Sequence, residues 1–354
     1  MEKSFKEIRD ALLLSIRTVV LISCFFVIVA IILVTLFIYP NGISTDSQKK
    51  ETIVVTIPSQ TAEKRTTEKG WQAPDESTVP TGEAGDIIRY GKELVAHTSI
   101  YLGPKGSVAT IANGMNCQNC HNDAGTKPFG INYSAVASTY PQFRPRSNAM
   151  VSIIERINGC FQRSMNGQKL NPDSKEMKAM VAYIKWVGSE VPKGEKPENA
   201  GIKKLPYLDI AADPKKGQAV YAQHCKSCHG GNGEGVLTAK GNEYVYPPLW
   251  GADSYNDGAG LYRLRNFAGF VKYNMPFGVM VNNPQLSDEE AWHVAAYVNS
   301  QPRPHKDQSS DWKDISKKPV DVPMGPYLDD FSEEQHKFGP FGPIEEAMKS
   351  KIQI

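Results

Sequence analysis

Two short segments carry the plainest chemistry: Cys117-Gln118-Asn119-Cys120-His121 and Cys225-Lys226-Ser227-Cys228-His229. Both spell Cys-x-x-Cys-His, the pattern of covalent c-type haem attachment. Two thiols at that spacing on one helical turn reach the two vinyl groups of a porphyrin, and the adjoining histidine sets its imidazole beneath the iron. A redox dithiol followed by a chance histidine, or half of a zinc site, does not explain why the histidine recurs. The sequence therefore predicts two covalently bound haem c groups, attached through Cys117, Cys120, Cys225 and Cys228. His121 and His229 are their proximal ligands.

The sixth ligands decide what such haems do, since a carrier fills both axial positions whereas a reacting haem needs one that can open. Asn274-Met275-Pro276 stands before the last predicted helix of the second domain. A thioether from Met275 there would complete His/Met ligation and raise the reduction potential. Met275 or Met280 could instead fill the core, and Lys272 is close enough in sequence to compete as a ligand. The first half has no comparable Met-Pro pair. It has Cys160, outside both haem motifs. Arg156, Cys160 and Ser164 fall at i, i+4 and i+8 and share one helical face. A guanidinium one turn from a thiol favours the thiolate, which is both nucleophile and metal ligand. Arg144, Arg146 and Arg163 add cations, with Glu155 the one acid adjacent in sequence. A buried structural cysteine is the bland alternative. The cationic face and the missing sixth ligand favour an axial or reactive thiolate.

These residues need elements to hold them. The chain of 354 residues suits two domains with material left over, and Lys+Arg 40 against Asp+Glu 38 gives no global field that would seek nucleic acid. Val19 to Tyr39 is uncharged, and as a helix it would span about 31 Å, the thickness of a bilayer's hydrocarbon core. Lys3, Lys6, Arg9 and Arg17 precede it, which predicts a cytoplasmic N-terminus and an extracytoplasmic remainder. Cys24 falls in this run and is assigned no chemistry. Asp213 to Tyr221 and Ile88 to Leu94 read as helices leading toward the two haem turns. Ala149 to Met165 and Ser174 to Val187 read as amphipathic helices, and Ser287-Asp288-Glu289-Glu290 as a capping box opening another. The fold expected is mainly α: two class I cytochrome c-like haem domains in tandem, preceded by one transmembrane helix. The boundaries are a cytoplasmic segment 1–18, an anchor 19–39, a tether 40–77, a first haem domain 78–187, a linker 188–205, a second haem domain 206–301 and a tail 302–354. The tail is expected to wrap back over the domains, with His336 packing rather than ligating.

The run from Asn113 through His121 to Thr126 resembles the dihaem thiosulfate dehydrogenases. So do Tyr140-Pro141, Arg144 to Ser147, Gly159-Cys160-Phe161, Arg163 to Gly167, Asn274-Met275-Pro276 and His336 to Phe341. The resemblance covers most of the chain from about Trp71 onward. It implies an enzyme that oxidises two thiosulfates to tetrathionate, with some members favouring the reverse. It makes Cys160 the axial cysteine of the catalytic haem, Arg146, Arg156 and Ser164 substrate-site residues, and Met275 the second haem's ligand. It also implies an electron acceptor such as a small cytochrome c or a membrane respiratory complex. The long apolar segment departs from soluble members of the family. Two other readings stay open: a membrane-tethered dihaem carrier without its own substrate, and a dihaem enzyme for another sulfur anion.

Overall fold

The computed structural model describes residues 70–352 and, before them, Ile22, Ser23 and Val29. Apart from Ile22, Ser23 and Val29, the expected anchor falls outside the described residues, as does most of the tether. Among the described residues no helix is long and apolar enough to cross a membrane. The chain divides into compact units 1–66 and 67–354, and the second holds both haem motifs.

The six longer helices of the two domains are α1 (Glu83–Ala96), α2 (Ile153–Arg163) and α3 (Lys175–Val187) in the first, α4 (Pro214–His224), α5 (Leu264–Asn274) and α6 (Asp288–Ser300) in the second. Their starts follow from side chains that satisfy the free N–H groups of a first turn. Ser174 Oγ accepts from Met177 N, and Asp213 accepts from Lys215 N and Lys216 N with Pro214 opening the helix. The box read at Ser287 is present, since its hydroxyl accepts from Glu290 N at 3.2 Å. One helix begins later than expected. Ala149–Val151 is strand β2, paired antiparallel with β1 (Gln142–Arg144) around Asn148 at φ 48°. Ser152 then caps α2 in a reciprocal box with Glu155, whose carboxylate accepts from Ser152 N at 2.6 Å. The apolar period continues through this strand, so periodicity alone could not find the boundary.

Both domains share one helix crossing. α1 packs on α3, and α4 on α6, each through a glycine. A methyl group on Gly91 would lie 2.0 Å from the Ala179 carbonyl oxygen and 2.7 Å from Tyr183 Cβ. On Gly217 it would lie 1.9 Å from the His293 carbonyl oxygen and 2.8 Å from Tyr297 Cβ. Around the first crossing pack Leu94, Met177, Met180, Tyr183 and Phe161, and around the second Tyr221, Leu264, Phe267 and Trp292. Fully burying one such side chain stabilises by about 1.5–3 kcal/mol relative to leaving it exposed.

The tail returns to the second domain through α7 (Glu333–Phe338) and α8 (Gly342–Ile352). Phe341 and Ile344 are fully buried in that domain's core. His336 packs with both ring nitrogens bonded, Nδ1 to Val320 O at 2.7 Å and Nε2 to Asp329 Oδ1 at 2.9 Å. A second hairpin, β3 (Val236–Leu237) with β4 (Tyr244–Tyr246), reaches across to the first domain. Beside it, Glu243 Oε1 meets His97 Nδ1 and Asn116 Nδ2, each at 2.7 Å. The linker is pinned between the domains, with Leu205 fully buried and Asn199 and Gly201 carbonyls accepting from Phe129 and Ile131.

Candidate functional site

The two proximal histidines are held the same way. His121 Nδ1 lies 2.6 Å from Ile131 O, and His229 Nδ1 lies 2.8 Å from Pro247 O. A carbonyl can only accept, so each Nδ1 carries the proton and each Nε2 is left free for iron. Burial also holds His229 below the usual imidazole range, in its neutral, ligating form. Thr98 steadies the first attachment turn, its hydroxyl accepting from Cys117 N at 3.0 Å and lying 3.2 Å from Cys117 Sγ. The residues present therefore fit a haem at each motif.

In the first domain the attachment residues line a cavity of about 170 Å³. Cys117, Cys120 and His121 form one wall, while Arg156, Cys160 and Ser164 form the α2 wall facing them. The three α2 residues share a face, as their spacing predicts. Arg156 Nη1 lies 3.2 Å from Cys160 Sγ. Burial alone would push the Cys160 thiol up, but its charged surroundings, the Arg156 guanidinium foremost, outweigh it and bring it down to about 7. Cys117 and Cys120, in the same cavity, are pushed up to about 12, chiefly by burial. Of these three thiols, Cys160 alone is in surroundings that favour the thiolate. Ser164 caps α2, and its N–H bonds to the Cys160 carbonyl.

The other arginines are elsewhere. Arg146 does not line this cavity. Its Nη1 donates to Gly258 O of the second domain at 2.7 Å, and its guanidinium lies 5.4 Å from the Trp312 ring centroid. Asp311, in the tail, accepts from Arg163 Nη2 at 2.9 Å and lies 3.8 Å from Arg146 Nε. Burial, then the neighbouring Arg163, pulls Arg146 down to about 10, which leaves it cationic at neutral pH. Arg144 is exposed on β1. Sequence distance hid Asp311: Glu155 is the near acid, but the acid that meets these arginines is one of several aspartates in the Pro-, Lys- and Asp-rich tail, and nothing in the pattern singles it out.

In the second domain the two candidate methionines separate. Met275 caps the C-terminal end of α5 and packs against the second domain's core, whereas Met280 is 61% exposed. Met280 is not core filler. Lys272 is paired through Nζ with Asp288 at the start of α6.

Residues 108–192 match the SoxA/TsdA cytochrome c domain, and residues 214–302 match the cytochrome c family. With the two attachment sites these matches define a dihaem c-type cytochrome carrying two covalently bound haems. The chain is 37% identical over 246 residues to a thiosulfate dehydrogenase of Stutzerimonas stutzeri (strain A1501), covering 70% of this chain and 77% of that protein. It is 33% identical over 267 residues to a thiosulfate dehydrogenase of Allochromatium vinosum, covering 74% of this chain and 89% of that one. Among solved structures, the TsdBA thiosulfate dehydrogenase of Marichromatium purpuratum in its as-isolated form superposes with a TM-score of 0.62 at 31% identity. That match covers 73% of this chain and 54% of the other. The chain belongs to the thiosulfate dehydrogenase family.

Proposed function

We propose that the protein joins two thiosulfate ions into tetrathionate at Cys160 and passes the two released electrons outward through its haems. The observation that carries this reading is a thiol drawn toward the thiolate by Arg156, 3.2 Å away, inside the cavity that holds the first attachment site. The substrate is a dianion. Arg156 would bind it through charge-assisted hydrogen bonds and lower the repulsion as a second dianion approaches. Ser164 lies in the same wall and can donate to a sulfonate oxygen.

The haems supply one-electron acceptors, one for each electron released. The chain supplies the sulfur chemistry. The Cys160 thiolate forms an S–S bond to the outer sulfur of one thiosulfate, with loss of two electrons, leaving a cysteine-bound S–SO₃⁻ group. The outer sulfur of a second thiosulfate then attacks that sulfur, the Cys160–S bond breaks, and tetrathionate leaves as the thiolate is restored. In this reading His121 and Cys160 would hold the first haem and His229 and Met275 the second, and a thiolate-ligated iron would be the lower in potential, which would favour electron flow from first to second. The resemblance also gives Arg146 a place in the substrate site, but its guanidinium is engaged by Gly258 O and Asp311 outside the cavity lining. Replacing Cys160 with Ala should reduce thiosulfate-dependent reduction of an artificial acceptor at least a hundredfold, with both haems still attached. Undiminished turnover, or a product other than tetrathionate, would sink the proposal.

The apolar run 19–39 with its basic N-terminal flank supports a single-pass anchor in the cytoplasmic membrane. Residues 40–77 then serve as tether, and the haem domains stand on the extracytoplasmic side, where c-type haem is attached. The acceptor is a small cytochrome c or a membrane respiratory complex. Near-neutral net charge argues against nucleic acid as a partner. Replacing residues 1–66 with a cleavable export signal should release an active holoprotein from the membrane fraction; full-length protein found soluble would refute the anchor.

A further inference from the structure

The residues next to one proposed axial ligand of each haem touch each other across the domain boundary. Asn122 follows His121 and is 5% exposed; Asn274 precedes Met275 and is fully buried. Asn122 Nδ2 donates to Asn274 Oδ1 at 3.1 Å, and Asn274 Nδ2 donates to Phe129 O at 3.3 Å. Both polar ends of the Asn274 amide are thus satisfied by the first domain. Losing a partner would strand a buried amide without a hydrogen bond.

The segment that receives Asn274 also orients His121, through the Ile131 carbonyl. It is over-determined. Asn122 N donates to Gly130 O at 2.9 Å, Phe129 N to Asn199 O at 3.0 Å and Ile131 N to Gly201 O at 2.8 Å. Phe129 and Ile131 hold φ 57° and 55°, left-handed backbone that persists in such residues where surrounding contacts enforce it. On the other side Asn274 is the last residue of α5, and Met275 N bonds to Val271 O at 2.9 Å. A shift of Met275 therefore moves the Asn274 amide against the loop from which the His121 ring is held. The strength of that Nδ1–H bond sets imidazole basicity and hence the electronic character of the iron it ligates.

We propose that the Asn122–Asn274 bridge couples the axial ligation of the two haems, so that the redox state of one shifts the potential of the other. The proposal rests on the reading of His121 and Met275 as axial ligands. Neither asparagine touches substrate or iron, so both are positioning residues.

The test is a spectroelectrochemical titration of the full-length holoprotein, read separately at each haem. In the unaltered protein each haem's midpoint should depend on the redox state of the other. Asn122→Ala should remove that dependence and change the equilibrium constant for sharing one electron between the haems about three- to tenfold, the range of one net hydrogen bond. Asn274→Asp keeps the shape and the acceptor, loses the donor to Phe129 O, and should shift the potentials in its own right. The effects of the two substitutions should not add when combined. Where Asn122→Ala fails to load haem, Asn122→Ser is titrated with the same criterion. Haem potentials unchanged in loaded variants would overturn the bridge. A Met275→Leu protein that kept the methionine–iron charge-transfer absorption would overturn it differently, by removing the ligand on which it rests.

Discussion

At the scale of single residues, Arg156 has more consequences than its spacing alone announced. It is the guanidinium at bonding distance from Cys160 Sγ, and it lines the cavity in which an anion would meet that sulfur. Arg156→Gln should therefore lower kcat/KM for thiosulfate about 10- to 100-fold, the range for losing a charged hydrogen bond. Arg156→Lys keeps the charge but loses the planar fork, and should recover part of that loss; steady-state kinetics on both variants decides it. The shared face of Arg156, Cys160 and Ser164 was legible because helical spacing is a local property. The arginine cluster as a whole was not. Arg146 and Arg163 turn away to Gly258 and Asp311, and those partners lie far along the chain, where periodicity carries no information.

At the scale of elements, the repeated glycine crossing is what makes the two halves one plan. Gly91 and Gly217 each sit where any side chain would strike a backbone carbonyl of the partner helix. Helices crossing at so close an approach leave no volume for a methyl group, and forced overpacking costs typically about 1–3 kcal/mol. Gly91→Ala should destabilise the first domain and Gly217→Ala the second by at least that range, measured by thermal unfolding of the holoproteins. A stabilised variant would show that the helices can separate freely. The two helices that carry these glycines were legible in sequence, since Ile88 to Leu94 and Asp213 to Tyr221 both lead toward haem turns; their crossings were not, because the partner helices lie far along the chain. The start of α2 was not, because a strand and a helix in succession kept the same apolar positions and only the Ser152–Glu155 box divides them.

At the scale of the molecule, the two domains are joined by polar side chains rather than by a shared apolar core. Asn256 of the second domain donates to Gln162 O at 2.9 Å and Asn166 Oδ1 at 3.0 Å of the first, and Asn113 donates back to Ser254 O at 3.0 Å. The chain's domain count could be read from its haem motifs, whereas these contacts depend on residues of unremarkable type in loops. The tail follows the same logic. Its composition suggested a covering segment, but its work is specific: Asp311 stands between two arginines, and Phe341 and Ile344 complete an apolar core. A protein cut before Phe341 would lose two fully buried side chains from the interior of the second domain, so its holoprotein should unfold at a lower temperature than the intact one. The second domain thus keeps its interior shut with a segment that follows it in sequence.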